Sequence, residues 1–234
     1  MDAQERGIRR VVTAGLLLAV TLLLALTPVG FIPVPTPAGS ATIAHIPSII
    51  GGILEGPLVG LIVSLGFGFA AFLSPLVPVK DPLVIIVPRL AIGVVAALVY
   101  LGLRKANKAA LLAILFVLLA AVLWAAKVVS EVYLWLGIAI AVLAVGGVLA
   151  GGLWLFRGDT QVVGLAAAGV AGSLTNTVLV LAAAVWRQVA GVTAPVAVSI
   201  GLMQGIPEAV ISAIIVVAVV ASVRQVGRRR GSRL

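Results

Sequence analysis

The sequence predicts an all-helical, polytopic integral membrane protein, and three observations carry that prediction. Of 234 residues, 62% are hydrophobic and 10% charged, whereas a soluble domain is about half apolar and about a quarter charged. The mean hydropathy is +1.30. The apolar residues form long runs cut by prolines and charges. A crossing needs roughly 20 apolar residues, so the chain has room for about eight crossings and no extramembrane catalytic domain.

Taken in order, the spans are expected at residues 11–30, 41–55, 57–74, 83–103, 109–128, 132–156, 161–186 and 195–223. The first follows the basic start MDAQERGIRR. Its apolar run outlasts a signal-peptide core and no small-x-small cleavage site follows it, so it is read as a retained span. The second, about 15 residues, is the shortest, and Glu55-Gly56-Pro57 divides it from the third because Pro cannot continue the preceding helix. Two proline-rich stretches, PVGFIPVPTPAGS at 28–40 and SPLVPVKDP at 74–82, read either as interfacial helix stops or as stiff loops that close over something.

The net charge of +9 would suggest nucleic acid in a soluble protein, but here the cations set topology. With the N-terminus in the cytoplasm, basic residues cluster inside at Arg6, Arg9 and Arg10, at Arg104, Lys105 and Lys108, at Arg157, and at Arg224, Arg228, Arg229, Arg230 and Arg233. Only Lys80, Lys127 and Arg187 face outside, with Arg89 inside a span. Both termini are therefore expected in the cytoplasm, and no nucleic-acid partner is expected.

Polar groups in hydrocarbon cost several kcal/mol unless paired or facing water, so each one within a span is a candidate site. His45, Arg89, Asn176, Gln204 and Glu208 all fall at or above the midplane on the outer side, and Gln204 and Glu208 are one helical turn apart. Their convergence suggests a pocket open to the outside. Each has an alternative reading: His45 donating to a carbonyl, Arg89 snorkelling outward or pairing with Glu208, Asn176 and Gln204 bonding helix to helix. Glu55, at an inner turn, reads as solvated. Gly15 and Ala19, like Gly60, Ser64 and Gly68, have four-residue spacing that serves helix packing or docks another membrane protein.

Enzymatic readings lack their parts. There is no cysteine and one histidine, which removes thiolate chemistry and His-rich metal sites, and no cofactor is expected. HExxH, paired intramembrane aspartates, a GxSxG elbow and a GxxxxGK[ST] phosphate loop are all missing, so uphill transport would need a partner or an ion gradient. A stand-alone proton-coupled carrier using Glu208, or a membrane scaffold without a ligand, stays open at this point.

The stretches ATIAHIPSIIGGILEGPLVGLIVSLGFGFAAFL (41–73), VPRLAIGVVAALVY (87–100), GSLTNTVLVL (172–181) and GIPEAVISAII (205–215) resemble the substrate-binding S components of energy-coupling factor (ECF) transporters, in their pantothenate-type vitamin branch. The resemblance implies a six-helix core in a prokaryotic plasma membrane that captures a small water-soluble vitamin outside. It further implies import driven by an ECF transmembrane coupling protein and two cytoplasmic ATPases. Carried over by motif, it places coupling-protein contact on Gly15 and Ala19, with glycine in place of the family's first alanine. It places the TNT amide on Asn176 and the IPEA carboxylate on Glu208, with Gln204 where an Asn is expected. The loops at 30–44 and 74–83 would cover the substrate. Residues 109–156 exceed the family pattern and are expected to be an inserted helical hairpin within one transmembrane domain (1–234), peripheral and without substrate contact. Lys127, Glu131 and Trp135 near its outer turn could reach lipid headgroups.

Overall fold

The computed structural model describes residues 3–33, 40–131, 134–156 and 161–231. Arg157 and Arg233, used above to argue orientation, lie outside these residues, as does the tip of the first proline-rich stretch, 34–39.

Helix α1 (Ala3–Leu26) runs through the Leu- and Ala-rich N-terminal segment and stops before Thr27-Pro28. A 3-10 turn (Pro28–Gly30) then leads into a two-stranded antiparallel ribbon, β1 (Phe31–Pro33) with β2 (Ser40–Thr42), in the register Phe31 to Thr42 and Pro33 to Ser40. The expected second span is shorter than its apolar run. Residues 40–42 pair as strand, and helix α2 covers only Ile46–Glu55. Ten residues rise about 15 Å, half the hydrocarbon thickness.

Gly56 ends α2 at φ +99°, a conformation that costs glycine nothing, and Pro57 opens α3 (Pro57–Leu73) with the N–H it lacks at a position where none is needed. The carbonyls left open where α3 ends are met by a side chain, since Lys80 Nζ donates to the oxygens of Phe72 and Ser74. Asp81 Oδ1 then accepts from Leu83 N–H at 2.9 Å and starts the short α4 (Pro82–Ile85), which continues almost directly into α5 (Val87–Leu103). Asn107 Oδ1 caps α6 (Lys108–Ser130) through Ala110 N–H at 2.8 Å. Helices α7 (Leu134–Phe156) and α8 (Gln161–Trp186) follow. The last apolar run is broken: α9 (Ala194–Ile200), one π-helical turn (Gly201–Gly205), then α10 (Ile206–Gly231). Pro207, the second residue of α10, supplies no backbone donor to the preceding turn.

Among the described residues, four stretches are long and apolar enough to cross a membrane: Gly7–Leu26, Pro82–Leu103, Gln161–Trp186 and Ala194–Gln225. Their outward faces carry exposed aliphatics such as Val11, Leu16, Leu98, Val178 and Ile214, the surface expected where lipid is the solvent. The core lies between α2, α3, α5, α8 and α10, around Ile49, Phe67, Ile92, Leu165 and Val216. Helices α6 and α7 pack chiefly on each other and touch the core lightly, through Leu111, Leu115 and Val163 and through Ala126 with Met203 and Ile206.

The small-residue stripe on α3 is used internally. A methyl group at Gly60 would lie 2.7 Å from the Gly93 carbonyl oxygen and one at Gly93 2.5 Å from that of Gly60, so α3 and α5 touch backbone to backbone. Ser64 Oγ accepts from Gly93 N–H at 3.0 Å, and Gly68 packs on Ile86. Of the two readings of Gly60, Ser64 and Gly68, packing within the chain is the one realised. The stripe on α1 differs: Gly15 and Ala19 are exposed, and a Cβ at Gly15 would meet nothing within 4 Å.

Candidate substrate-binding site

The π turn and the first turn of α10 hold the ribbon in place. Glu208 Oε1 accepts from the backbone N–H of Thr42 at 2.6 Å and from Gln204 Nε2 at 3.3 Å, and the same Gln204 nitrogen donates to the Ser40 carbonyl at 2.6 Å. One turn along α10, Ser212 Oγ is 2.9 Å from His45 Nε2, in the turn that leads into α2. His45 and Ser212 are fully buried and Glu208 is nearly so. The glycines of α8 let neighbours close in. Gly169 lies against Ser212 and Ala213, Gly172 against Ile49 of α2, and Thr177 against Gly205 of the π turn. Ser173 and Asn176 are therefore buried on the α8 face between α2 and α10.

Arg89 sits in the first turn of α5, 7% exposed, with its guanidinium carbon 5.0 Å from the centre of the Phe67 ring and one N–H on the Ile85 carbonyl. Arg9 pairs with Glu55 and Arg187 with Asp81, and no ion pair joins Arg89 to a described carboxylate. Arg89 therefore does not pair with Glu208, although their charges interact across the site. It does not snorkel to the surface either. Glu55 corrects an expectation: its side chain is 7% exposed and bound to Arg9 at 3.0 Å, because α1 passes beside the α2–α3 turn and covers it.

Among the described residues, five buried side-chain polar atoms have no hydrogen-bond partner: His45 Nδ1, Ser48 Oγ, Arg89 Nε, Ser173 Oγ and Asn176 Oδ1. A buried polar atom without a partner costs about 1–3 kcal/mol, and such atoms are rare in native proteins. Here they lie on α2 and the turn before it, on α5 and on α8, on residues named above as candidates or one turn from them. Ser48, Ser173 and Ser212 were missed in the sequence because an intrahelical carbonyl readily satisfies a serine hydroxyl. Spacing was the available signal: Ser48 follows His45 by three positions, Ser173 precedes Asn176 by three and Ser212 follows Glu208 by four.

Outside the apolar spans, Asp81 bonds Arg187 at 2.9 Å, tying the second proline-rich loop to the end of α8. The Arg187 guanidinium holds the Asp81 carboxyl below its ordinary range. Two cavities of about 470 and 480 Å³ lie away from the polar cluster, lined by aliphatic side chains and glycines of α5, α6, α7, α8 and α10. No group of acidic or histidine side chains able to hold a metal ion is found among the described residues.

A helical bundle with aliphatic side chains on its outward faces and polar side chains gathered inside is the form of a membrane protein with an internal binding site. The chain belongs to the family of substrate-specific components of ECF transporters, whose model matches residues 9–138. None of the curated proteins compared with it matches. It is accordingly a substrate-binding transport subunit that works with the partners of an ECF module; such subunits are not enzymes.

Proposed function

We propose that the chain captures a small, water-soluble, anionic vitamin from the outside, with pantothenate the first candidate, in a pocket lined by His45, Arg89, Asn176, Gln204 and Glu208. Ser48 and Ser173 join them in this reading. The observation that carries it is the buried Arg89 cation, which has no carboxylate partner among the described residues, together with four other buried unpaired polar atoms on α2, the turn before it, and α8. A buried charge is stable when paired, and a ligand carboxylate supplies the partner with charge-assisted hydrogen bonds. The four other atoms offer donors and acceptors for the hydroxyl and amide groups of such a molecule.

Glu208 and Gln204 hold the ribbon beside this pocket, and the Asp81–Arg187 pair anchors the other loop, so solute entry requires at least the ribbon to move. The exposed Gly15 and Ala19 of α1 supply a close-approach surface for the transmembrane coupling protein, with two cytoplasmic ATPases providing the energy. Residues 109–156 form an added hairpin outside the substrate path. Its sparse contact with the core supports that assignment.

The test is to purify the full chain and identify any co-purifying small molecule by mass spectrometry. Vitamin uptake is then measured in cells expressing the chain with and without an ATPase module, in the presence and absence of a protonophore. Binding of an anionic vitamin and ATPase-dependent uptake are expected. Protonophore-sensitive uptake by the chain alone, or binding of neutral vitamins only, overturns the proposal.

A further inference from the structure

The 470 Å³ cavity is a groove between α5, α6 and α8, walled by Leu98, Val99, Leu103, Ile114, Leu118 and Val170 and floored at one end by Gly102. That volume is within the range of small-molecule pockets, roughly 300–1,000 Å³, yet its wall is almost wholly aliphatic. Such a lining selects a hydrocarbon chain. The end of the groove at Gly102 and Leu103 meets the α5–α6 turn, which carries Arg104, Lys105 and Lys108, all exposed. Among the described residues, no ion pair joins any of these three to a carboxylate. Leu98 and Ile114 each lie six residues from a cation of the turn, about 9 Å along the helix. An occupant with its charge at the turn therefore extends its tail along the groove.

We infer that this groove is a binding site for an anionic phospholipid, with the phosphate on Arg104, Lys105 and Lys108 and one acyl chain between α5, α6 and α8. Two properties on one surface favour this occupant: three exposed cations at the end of the bundle where Arg224 and Gln161 also meet, and an apolar channel that opens beside them. Basic pockets between membrane helices recognise anionic headgroups in this way, each cation contributing by attraction to the phosphate. The lipid fills the gap that the light packing of α6 leaves against the core, and so braces the α6–α7 hairpin against α5 and α8.

The full chain in detergent is titrated with phosphatidylglycerol or phosphatidylcholine, and retained lipid is counted by native mass spectrometry. Wild type is expected to hold phosphatidylglycerol in preference to phosphatidylcholine. Arg104→Gln, Lys105→Gln and Lys108→Gln should each weaken retention roughly fivefold. Gly102→Leu keeps all three charges but fills the groove, and a Cβ at Gly102 meets nothing within 4 Å, so the backbone there has room for it. It too should lose the lipid. Leu98→Trp, at an exposed wall position, fills the same groove and decides the matter if Gly102→Leu proves unstable. Arg10→Gln, on α1, should change nothing. Equal retention of both lipids by wild type, or undiminished phosphatidylglycerol in a folded groove-filling variant, overturns the assignment; the second result would mean attraction to the basic turn alone.

Discussion

Arg89→Met separates a cation waiting for a ligand from one that the protein needs for itself. In the unliganded chain the substitution removes one hydrogen bond to the Ile85 carbonyl and the contact over Phe67, the latter worth roughly 0.5–2 kcal/mol. Against this it removes a charge that is 7% exposed and has no carboxylate within 4.0 Å, and holding such a charge costs several kcal/mol. Met has similar length and keeps the aliphatic packing. The melting temperature of the free protein should therefore stay level or rise. Ligand binding should move the opposite way: losing a charge-assisted hydrogen bond of about 1.5–3 kcal/mol weakens affinity roughly 10- to 150-fold. Arg89→Lys, which keeps the charge but loses the planar fork, should fall between. Calorimetric titration with the identified vitamin and thermal melts in one detergent give both numbers. A variant that binds normally yet melts many degrees lower would refute the reasoning, because Arg89 would then be a structural cation.

Asn176→Ala removes a buried, unpaired amide oxygen, so vitamin affinity should drop by about 1–3 kcal/mol with little loss of fold stability; equal affinity would take Asn176 out of the pocket. Gly93→Ala forces a methyl group against the Gly60 carbonyl and should destabilise by about 1–3 kcal/mol, read as a lower melting temperature, whereas Gly102→Ala should not. A Cβ at Gly15 has nothing within 4 Å, so Gly15→Leu should keep stability while co-purification with the coupling protein falls. The Asp81–Arg187 pair predicts a pH response: because the folded carboxyl titrates below its unfolded value, its contribution is complete above the unfolded pKa and lost as pH falls through the folded one. The protection factors of amides in the 74–82 loop, corrected for the intrinsic exchange rate at each pH, should therefore fall on acidification in wild type, and Arg187→Gln should abolish the change.

Helix placement was largely legible in the sequence, because bilayer thickness converts apolar run length into a span and Pro and Gly mark the stops. The exceptions have local causes. The run at 41–55 yielded only a half-length helix, since Ser40–Thr42 satisfy their backbone by pairing with Phe31–Pro33, a partner distant in apolar pattern. The span at 195–223 was broken by a π turn that Pro207 permits but hydropathy does not register. In the site, ionisable and amide residues stood out because hydrocarbon penalises them, while Ser48, Ser173 and Ser212 did not, since hydroxyls are cheap to satisfy within a helix.

Composition and periodicity alone determined that this chain is a bundle of membrane helices, where most of them begin and end, and which polar side chains are too costly to be there without purpose. Those are one-dimensional properties, fixed by solvent transfer and backbone chemistry. Only tertiary structure decided that Arg89 is without a carboxylate while Glu55 has a cation, that Glu208 holds the ribbon, and that the α3 glycines face inward while Gly15 faces out. Pairing depends on which helix faces meet, and in an apolar chain nearly every face is hydrophobic enough to be either buried or exposed to lipid.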